Sequence, residues 1–165
     1  MSTAPATTPD ATVLRVADID FAAASRLLAR HDLTLHRVAD GAAIPGSYWG
    51  EPEAGIIGSH VYARADTPVH SLLHEACHLI VLPPARRAAV HTDATDSIEE
   101  EDAVCYLQIL LAAQLADVGS ARLMADMDAW GYTFRLGSAR AWFRDDAVEA
   151  RRWLQTRGLL PTTTG

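Results

Sequence analysis

The chain of 165 residues is 49% hydrophobic, has a net charge of −7 and contains two cysteines. This composition can supply a buried core, but it lacks the basic face that nucleic-acid binding requires and the cysteine content of a disulfide-built secreted domain. Because no apolar run is long enough to span a membrane and the first residues do not resemble a secretory signal, we expect a cytoplasmic protein with no nucleic-acid or membrane partner.

Residues 1–13 are rich in Ser, Thr, Ala and Pro, which predicts a disordered segment. A single domain is predicted over residues 14–165. Apolar periodicity and turn residues predict the next elements: a helix over 18–31, a strand over 33–38, a loop over 40–54 and a strand over 56–64. The loop carries the aromatic and acidic residues Tyr48, Trp49, Glu51 and Glu53. These side chains could line a cleft, but packing on the core is favoured.

A buried helix is predicted over residues 68–82. Thr67 is a suitable N-cap, Pro68 suits the first helical position, and Pro83 prevents the helix from continuing. The apolar residues recur with the helical period: Leu72, Leu73, Ala76, Cys77, Ile80 and Val81. This segment also carries the motif that predicts chemistry.

That motif is H-E-x-x-H, formed by His74, Glu75 and His78. On a helix, residues four apart project from one face, so both imidazoles can hold one metal ion, whereas Glu75 lies beside them as a general base for a water molecule. His70 precedes His74 by one turn. It would stand about 12 Å along the axis from His78, so we predict that His70 is not a ligand.

Helices fill the remainder of the predicted fold, over 99–115, 121–130 and 138–157. With two early strands, this predicts an α+β fold in which about four helices pack on a small, mainly antiparallel sheet. Cys77 and Cys105 lie on successive helices and are predicted to be reduced core residues.

A catalytic zinc site usually has three protein ligands, so a third is needed. The acids that open the helix after the motif are the main candidates, with His60, His70 and His91 as alternatives. From Glu100, the positions three, four, seven and eleven residues later are all apolar, whereas the stripe from Glu101 is less apolar. Helical phase therefore favours Glu100 as the third ligand, and Glu101 stays open.

A strand, H-E-x-x-H on a helix and a Glu on the following helix resemble the gluzincin metallopeptidases. The segment from Glu100 to Tyr106 is most similar to the ImmA/IrrE family, whose third ligand opens an E-x-E-A-x-x-F-like helix, although Asp102 and Tyr106 replace Glu and Phe of that pattern. The resemblance covers about residues 56–111. It implies a zincin-like fold in which the strand before the motif helix edges the cleft and binds extended peptides by strand addition.

Matched position by position, the resemblance implies that His74, His78 and Glu100 hold Zn²⁺ and that Glu75 is the catalytic base. The expected activity is hydrolysis of a peptide or amide bond in a protein or peptide substrate. The alternative is a zinc-binding regulatory or interaction module with little hydrolytic activity. The sequence leaves open the oligomeric state and the group that stabilises the oxyanion, for which the candidates are Tyr132, Arg135, His91 and His60.

Overall fold

The computed structural model describes residues 12–47, 50–91 and 97–161. The described part has seven α-helices: α1 Phe21–Ala29, α2 Val69–Val81, α3 Pro84–Arg87, α4 Ile98–Ala112, α5 Ser120–Trp130, α6 Ala139–Asp145 and α7 Val148–Thr156. It also has three strands: β1 Thr34–Val38, β2 Gly55–Ile57 and β3 His60–Arg64. The predicted α+β class is confirmed, but the helices outnumber the four expected. No helix in these ranges is long and apolar enough to cross a membrane.

The sheet is mixed rather than mainly antiparallel. Its order is β1-β3-β2, with β1 parallel and β2 antiparallel to the central strand β3. The prediction of one strand over 56–64 was wrong because the chain reverses at Gly58, whose φ of +59° lies in the left-handed region that favours glycine. The reversal makes β2 and β3 a hairpin, and β1 then pairs with the far side of β3.

This topology also corrects the expectation that the strand before the motif helix edges a cleft. That strand is β3, whose backbone pairs with β1 on one side and β2 on the other. Both hydrogen-bonding edges of β3 are therefore occupied over residues 60–62, so an extended peptide cannot add to that stretch.

The start of the described chain is folded against α5 and the strand-to-helix connection. Val13 is buried, the Leu14 amide donates to Asp126 Oδ2 at 2.9 Å, and the Val16 amide donates to the Thr67 carbonyl at 2.8 Å. Val13 therefore belongs to the core, although the predicted disordered segment extended to it. Residues 1–11 of that segment lie outside the described residues.

Helix α2 lies in the centre of the hydrophobic core, and all thirteen of its residues are buried. It ends at Val81, before Pro83, as predicted. Its N-cap is Pro68 rather than Thr67, because the Thr67 hydroxyl accepts instead from the Arg64 amide at 2.9 Å. Because α2 is buried along its whole length, its polar residues also lie inside the protein.

Helix α4 packs along α2 and brings a second set of polar side chains to it. Ser97 caps α4, its hydroxyl accepting from the Glu100 amide at 3.1 Å. The helix predicted over 138–157 is divided into α6 and α7 at Asp146, which leaves helical geometry with φ −133° and pairs with Arg135 at 2.9 Å.

Candidate metal centre

Three side chains from α2 and α4 converge on one point. His74 Nε2 lies 2.8 Å from Glu101 Oε1, and His78 Nε2 lies 3.3 Å from Glu101 Oε2. The two Nε2 atoms are 3.2 Å apart, with the rings nearly perpendicular at 86°. Two imidazole nitrogens and one carboxylate thus face each other across about 3 Å.

The donor atoms suit a zinc ion in both kind and spacing. Ligands at about 2.0–2.1 Å in a tetrahedral shell lie roughly 3.3 Å from one another. The observed separations of 2.8–3.3 Å among His74, His78 and Glu101 are close to that value. Two imidazoles and a carboxylate are also an established catalytic zinc ligand set. The residues therefore fit the ion, while metal binding stays a prediction.

The structure places Glu101, and not Glu100, beside the two histidines. The carboxylate of Glu101 is within ion-pair distance of both rings, whereas Glu100 lines a groove with Pro83 and Arg157. The phase argument for Glu100 assumed that one apolar stripe of α4 marks its inner face. Because apolar residues of α4 are buried nearly all round the helix, that stripe does not identify the side that faces α2.

Glu75, predicted to be the general base, is buried beside the ligand pair. One of its carboxylate oxygens lies within 4.8 Å of ring nitrogens of His74 and His78. Its side chain is therefore close enough to the histidines to act on a water molecule held near them, while the Glu101 carboxylate lies against the same two rings.

The charges of the metal-free cluster are strongly coupled. Burial raises the pKa of Glu101, but the neighbouring His74 outweighs burial and lowers it to about 2. Burial lowers the pKa of His74, yet the charge and hydrogen bond of Glu101, together with Tyr132 and Cys105, outweigh burial and hold it well above the ordinary value. Burial and the His74 charge lower the pKa of His78 to about 3. A single added proton, on His74, therefore balances the Glu101 charge in the metal-free cluster, and metal binding should release it.

Gln108 contacts the site from α4 and was missed by the sequence analysis. Its side chain is fully buried, and its Oε1 lies 2.6 Å from His74 Nδ1. A polar residue seven positions after Glu101, on a helix that is otherwise apolar in this region, was the available signal. Together with Cys105, these residues form a polar face of α4 directed at His74.

Tyr132 is the oxyanion candidate that the structure places beside the motif helix. Its ring packs edge-on against His74 at 5.7 Å, and its hydroxyl is 3.1 Å from His70 Nδ1. The other candidates are engaged elsewhere. Arg135 is largely exposed and pairs with Asp146, and His60 bonds to His36 on the sheet. His91 is exposed and forms a bridge to Ile57.

His70, predicted not to be a ligand, turns its Nδ1 to Tyr132 and lies outside the converging donors. Its Nε2 is buried without a hydrogen-bond partner in the described part of the chain. The ring also packs against Trp130, with centroids 5.1 Å apart. The described geometry therefore places His70 in the packing behind His74.

Glu53 is a buried acid that secures the loop before β2 next to the site. Its Oε1 accepts from Trp130 Nε1 at 2.8 Å and its Oε2 from the Ser71 hydroxyl at 3.2 Å. Burial raises its pKa. The expectation that this loop acid packs on the core is met by Glu53, whereas Tyr48 and Trp49 lie outside the described residues.

The two cysteines are free and fully buried, as predicted. Burial raises the pKa of Cys77. Cys105 projects toward the site, and its sulfur lies within 4.8 Å of a ring nitrogen of His74 and a carboxylate oxygen of Glu101. The Cys105 thiol is therefore close enough to be considered as a further candidate metal ligand.

The pKa of His70 predicts acid sensitivity of the zinc-free protein. Burial, with smaller contributions from His74 and Arg15, lowers this pKa from 6.5 to about 3. The unfolded chain then binds a proton that the folded chain excludes, so stability present above pH 6.5 is lost as the pH falls toward 3. The contribution of His70 to the free energy of unfolding should drop by about 2 kcal/mol between pH 7 and pH 5.

Urea unfolding in the presence of a chelator measures this loss. His70→Phe should show a shallower loss of stability between pH 7 and pH 5 than the unaltered protein, and the same change at exposed His60 should not. If the free energy of unfolding of His70→Phe and of the unaltered protein fell equally with pH, the fold would not lower the pKa of His70.

Comparison of this chain with known protein families, curated proteins and solved structures finds no match. The resemblance to the ImmA/IrrE family therefore depends on the motif residues alone, and function has to be argued from the site.

Proposed function

We propose that the protein is a zinc-dependent hydrolase of peptide or amide bonds, with His74, His78 and Glu101 as metal ligands and Glu75 as general base. The observation that carries this proposal is the convergence of two Nε2 atoms and a carboxylate within 3.3 Å, with the Glu75 carboxylate beside them. A site that only stored metal would not need a further acid at that position.

When bound, zinc supplies polarisation of the scissile carbonyl and a lower pKa for the attacking water. Glu75 accepts the proton that this water loses as its oxygen bonds to the carbonyl carbon. Glu75 then delivers the proton to the nitrogen of the leaving amine as the carbon–nitrogen bond breaks. Tyr132, whose ring packs against His74, is the candidate to donate a hydrogen bond to the oxygen that gains negative charge, and its hydroxyl would have to leave His70 Nδ1 to do so.

A zinc-binding regulatory module is the second candidate, and Cys105 is the observation that favours it. A thiolate so close to His74 and Glu101 could act as a fourth protein ligand. Four protein ligands are typical of a closed, structural zinc site, whereas hydrolysis needs an open position for water. The two candidates therefore differ in whether sulfur binds the metal.

Replacing zinc with Co²⁺ distinguishes these candidates, because a cobalt–thiolate bond gives strong near-ultraviolet absorption. For the hydrolase we expect no such absorption, and a visible spectrum that Cys105→Ser leaves unchanged. A thiolate band that Cys105→Ser abolishes would instead identify a closed site.

Activity is tested by incubating the zinc-loaded protein with a peptide library and analysing the products by mass spectrometry. The proposal predicts cleavage that requires zinc and is absent from Glu75→Gln. Cleavage that persists unchanged in both the chelated protein and Glu75→Gln would come from a contaminant and would count against the proposal.

A further inference from the structure

Gln108 joins α4 to two points of the motif helix. Its Oε1 is 2.6 Å from His74 Nδ1, and its Nε2 donates to the His70 carbonyl at 3.1 Å. The side chain is fully buried, so water does not compete for either bond. Both ends of the amide are thus held by α2.

The second bond determines the direction of the first. The His70 carbonyl can only accept a hydrogen bond, so the amide nitrogen of Gln108 must point toward it. The amide oxygen then faces His74 and can only accept, which requires a proton on His74 Nδ1. Reversing the amide would place two oxygens together at His70 and lose a buried hydrogen bond.

We infer that Gln108 is a positioning residue, which fixes the proton of His74 on Nδ1 and so keeps Nε2 available for zinc. The inference rests on the zinc ligands of the proposed function but not on hydrolysis. The same bond fixes the rotation of the ring, because the short contact to Gln108 and the direction toward Glu101 lie on opposite sides of His74. Partners of this kind orient metal-binding histidines and raise their basicity.

Gln108 belongs to the site through its contact with His74 and is not one of the converging donors. Metal-binding histidines usually donate their other N–H to a carboxylate, a backbone carbonyl or water. A neutral amide instead adds no negative charge beside the Glu101 carboxylate. Gln108 therefore orients His74 without a further charge in the buried cluster.

The experiment measures zinc affinity by competition with a chelator in Gln108→Met, which keeps the length of the side chain and removes the acceptor. We expect zinc affinity to fall by about 10–100-fold, the range for loss of such a partner. Gln114→Met is the matched control, because Gln114 follows α4 and its exposed side chain accepts a hydrogen bond from Arg30 at the surface. The control should bind zinc like the unaltered protein.

A second measurement observes the proton on His74 directly. Nitrogen-15 NMR of histidine-labelled, zinc-loaded protein should show His74 with a protonated Nδ1 that exchanges slowly with water, assigned by its absence from His74→Gln. In Gln108→Met that proton should exchange faster. A His74 without a proton on Nδ1, or unchanged zinc affinity in Gln108→Met, would overturn the inference.

These outcomes stand apart from the test of hydrolysis. Zinc binding weakened by Gln108→Met, with no cleavage of any peptide, would support the role of Gln108 and contradict the hydrolase. Peptide cleavage with full zinc affinity in Gln108→Met would do the opposite. Failure of the unaltered protein to bind zinc would contradict both the role of Gln108 and the zinc-dependent hydrolase.

Discussion

Glu75→Gln is expected to retain zinc and to lower peptide hydrolysis by at least about 100-fold, the low end for a positioned acid–base group. Glutamine preserves the shape of the side chain but cannot take the proton of the attacking water. The proposed ligands His74, His78 and Glu101 are unaltered in this variant, so the zinc content should not change. Rates on a cleaved peptide and elemental analysis of the same samples measure the two effects.

The matched control for Glu75→Gln is Glu99→Gln, which makes the same chemical change at an exposed position on α4. That variant should retain both zinc and activity. Full activity in Glu75→Gln would exclude Glu75 as the base. Loss of zinc from Glu75→Gln would instead make Glu75 a ligand.

Glu101→Ala should weaken zinc binding more than any change outside the ligand set. We expect a loss beyond the roughly 10–100-fold that follows from removing a group hydrogen-bonded to a ligand. Both carboxylate oxygens of Glu101 face the histidines, so alanine removes one of the three converging groups. Chelator competition measures the affinity, and hydrolysis should disappear with the metal.

Glu100→Ala is the control that separates the structural assignment from the one that helical phase favoured. Glu100 is adjacent in sequence and also acidic, but it lines a different groove. Zinc affinity should therefore stay near that of the unaltered protein. If Glu100→Ala lost zinc and Glu101→Ala retained it, the described geometry of α4 would be wrong at its first turn.

The central helix and its histidine pair could be predicted because their signals are local. A fixed four-residue spacing and an apolar period determine that His74 and His78 share a face, whatever surrounds them. Pro83 ends the helix through the chemistry of one residue. Such features do not depend on distant parts of the chain.

Which acid of α4 lies beside the histidines depended on tertiary packing and was harder to predict. Several elements pack on α4, so its buried residues do not form one stripe, and the apolar pattern favoured Glu100. The better signal was polar. Glu101, Cys105 and Gln108 follow a helical period of three to four residues on one face, and buried polar groups usually indicate partners.

The sheet and Tyr132 show two further limits of local patterns. The reversal at Gly58 was overlooked because the residues on both sides are suited to strands. Tyr132 reaches His70 across 62 positions of sequence, a contact that no local pattern encodes. It was one of four candidates until the fold placed its ring against His74.

Elemental analysis of protein purified without added metal shows whether His74, His78 and Glu101 hold zinc. We expect about one zinc per chain in the unaltered protein and in Glu100→Ala, and far less in Glu101→Ala and in a His74→Ala, His78→Ala double variant. Protein that folds without zinc and takes up none when it is supplied would show that these residues do not form a zinc site. The same zinc content in the double variant as in the unaltered chain would show that the zinc is bound elsewhere.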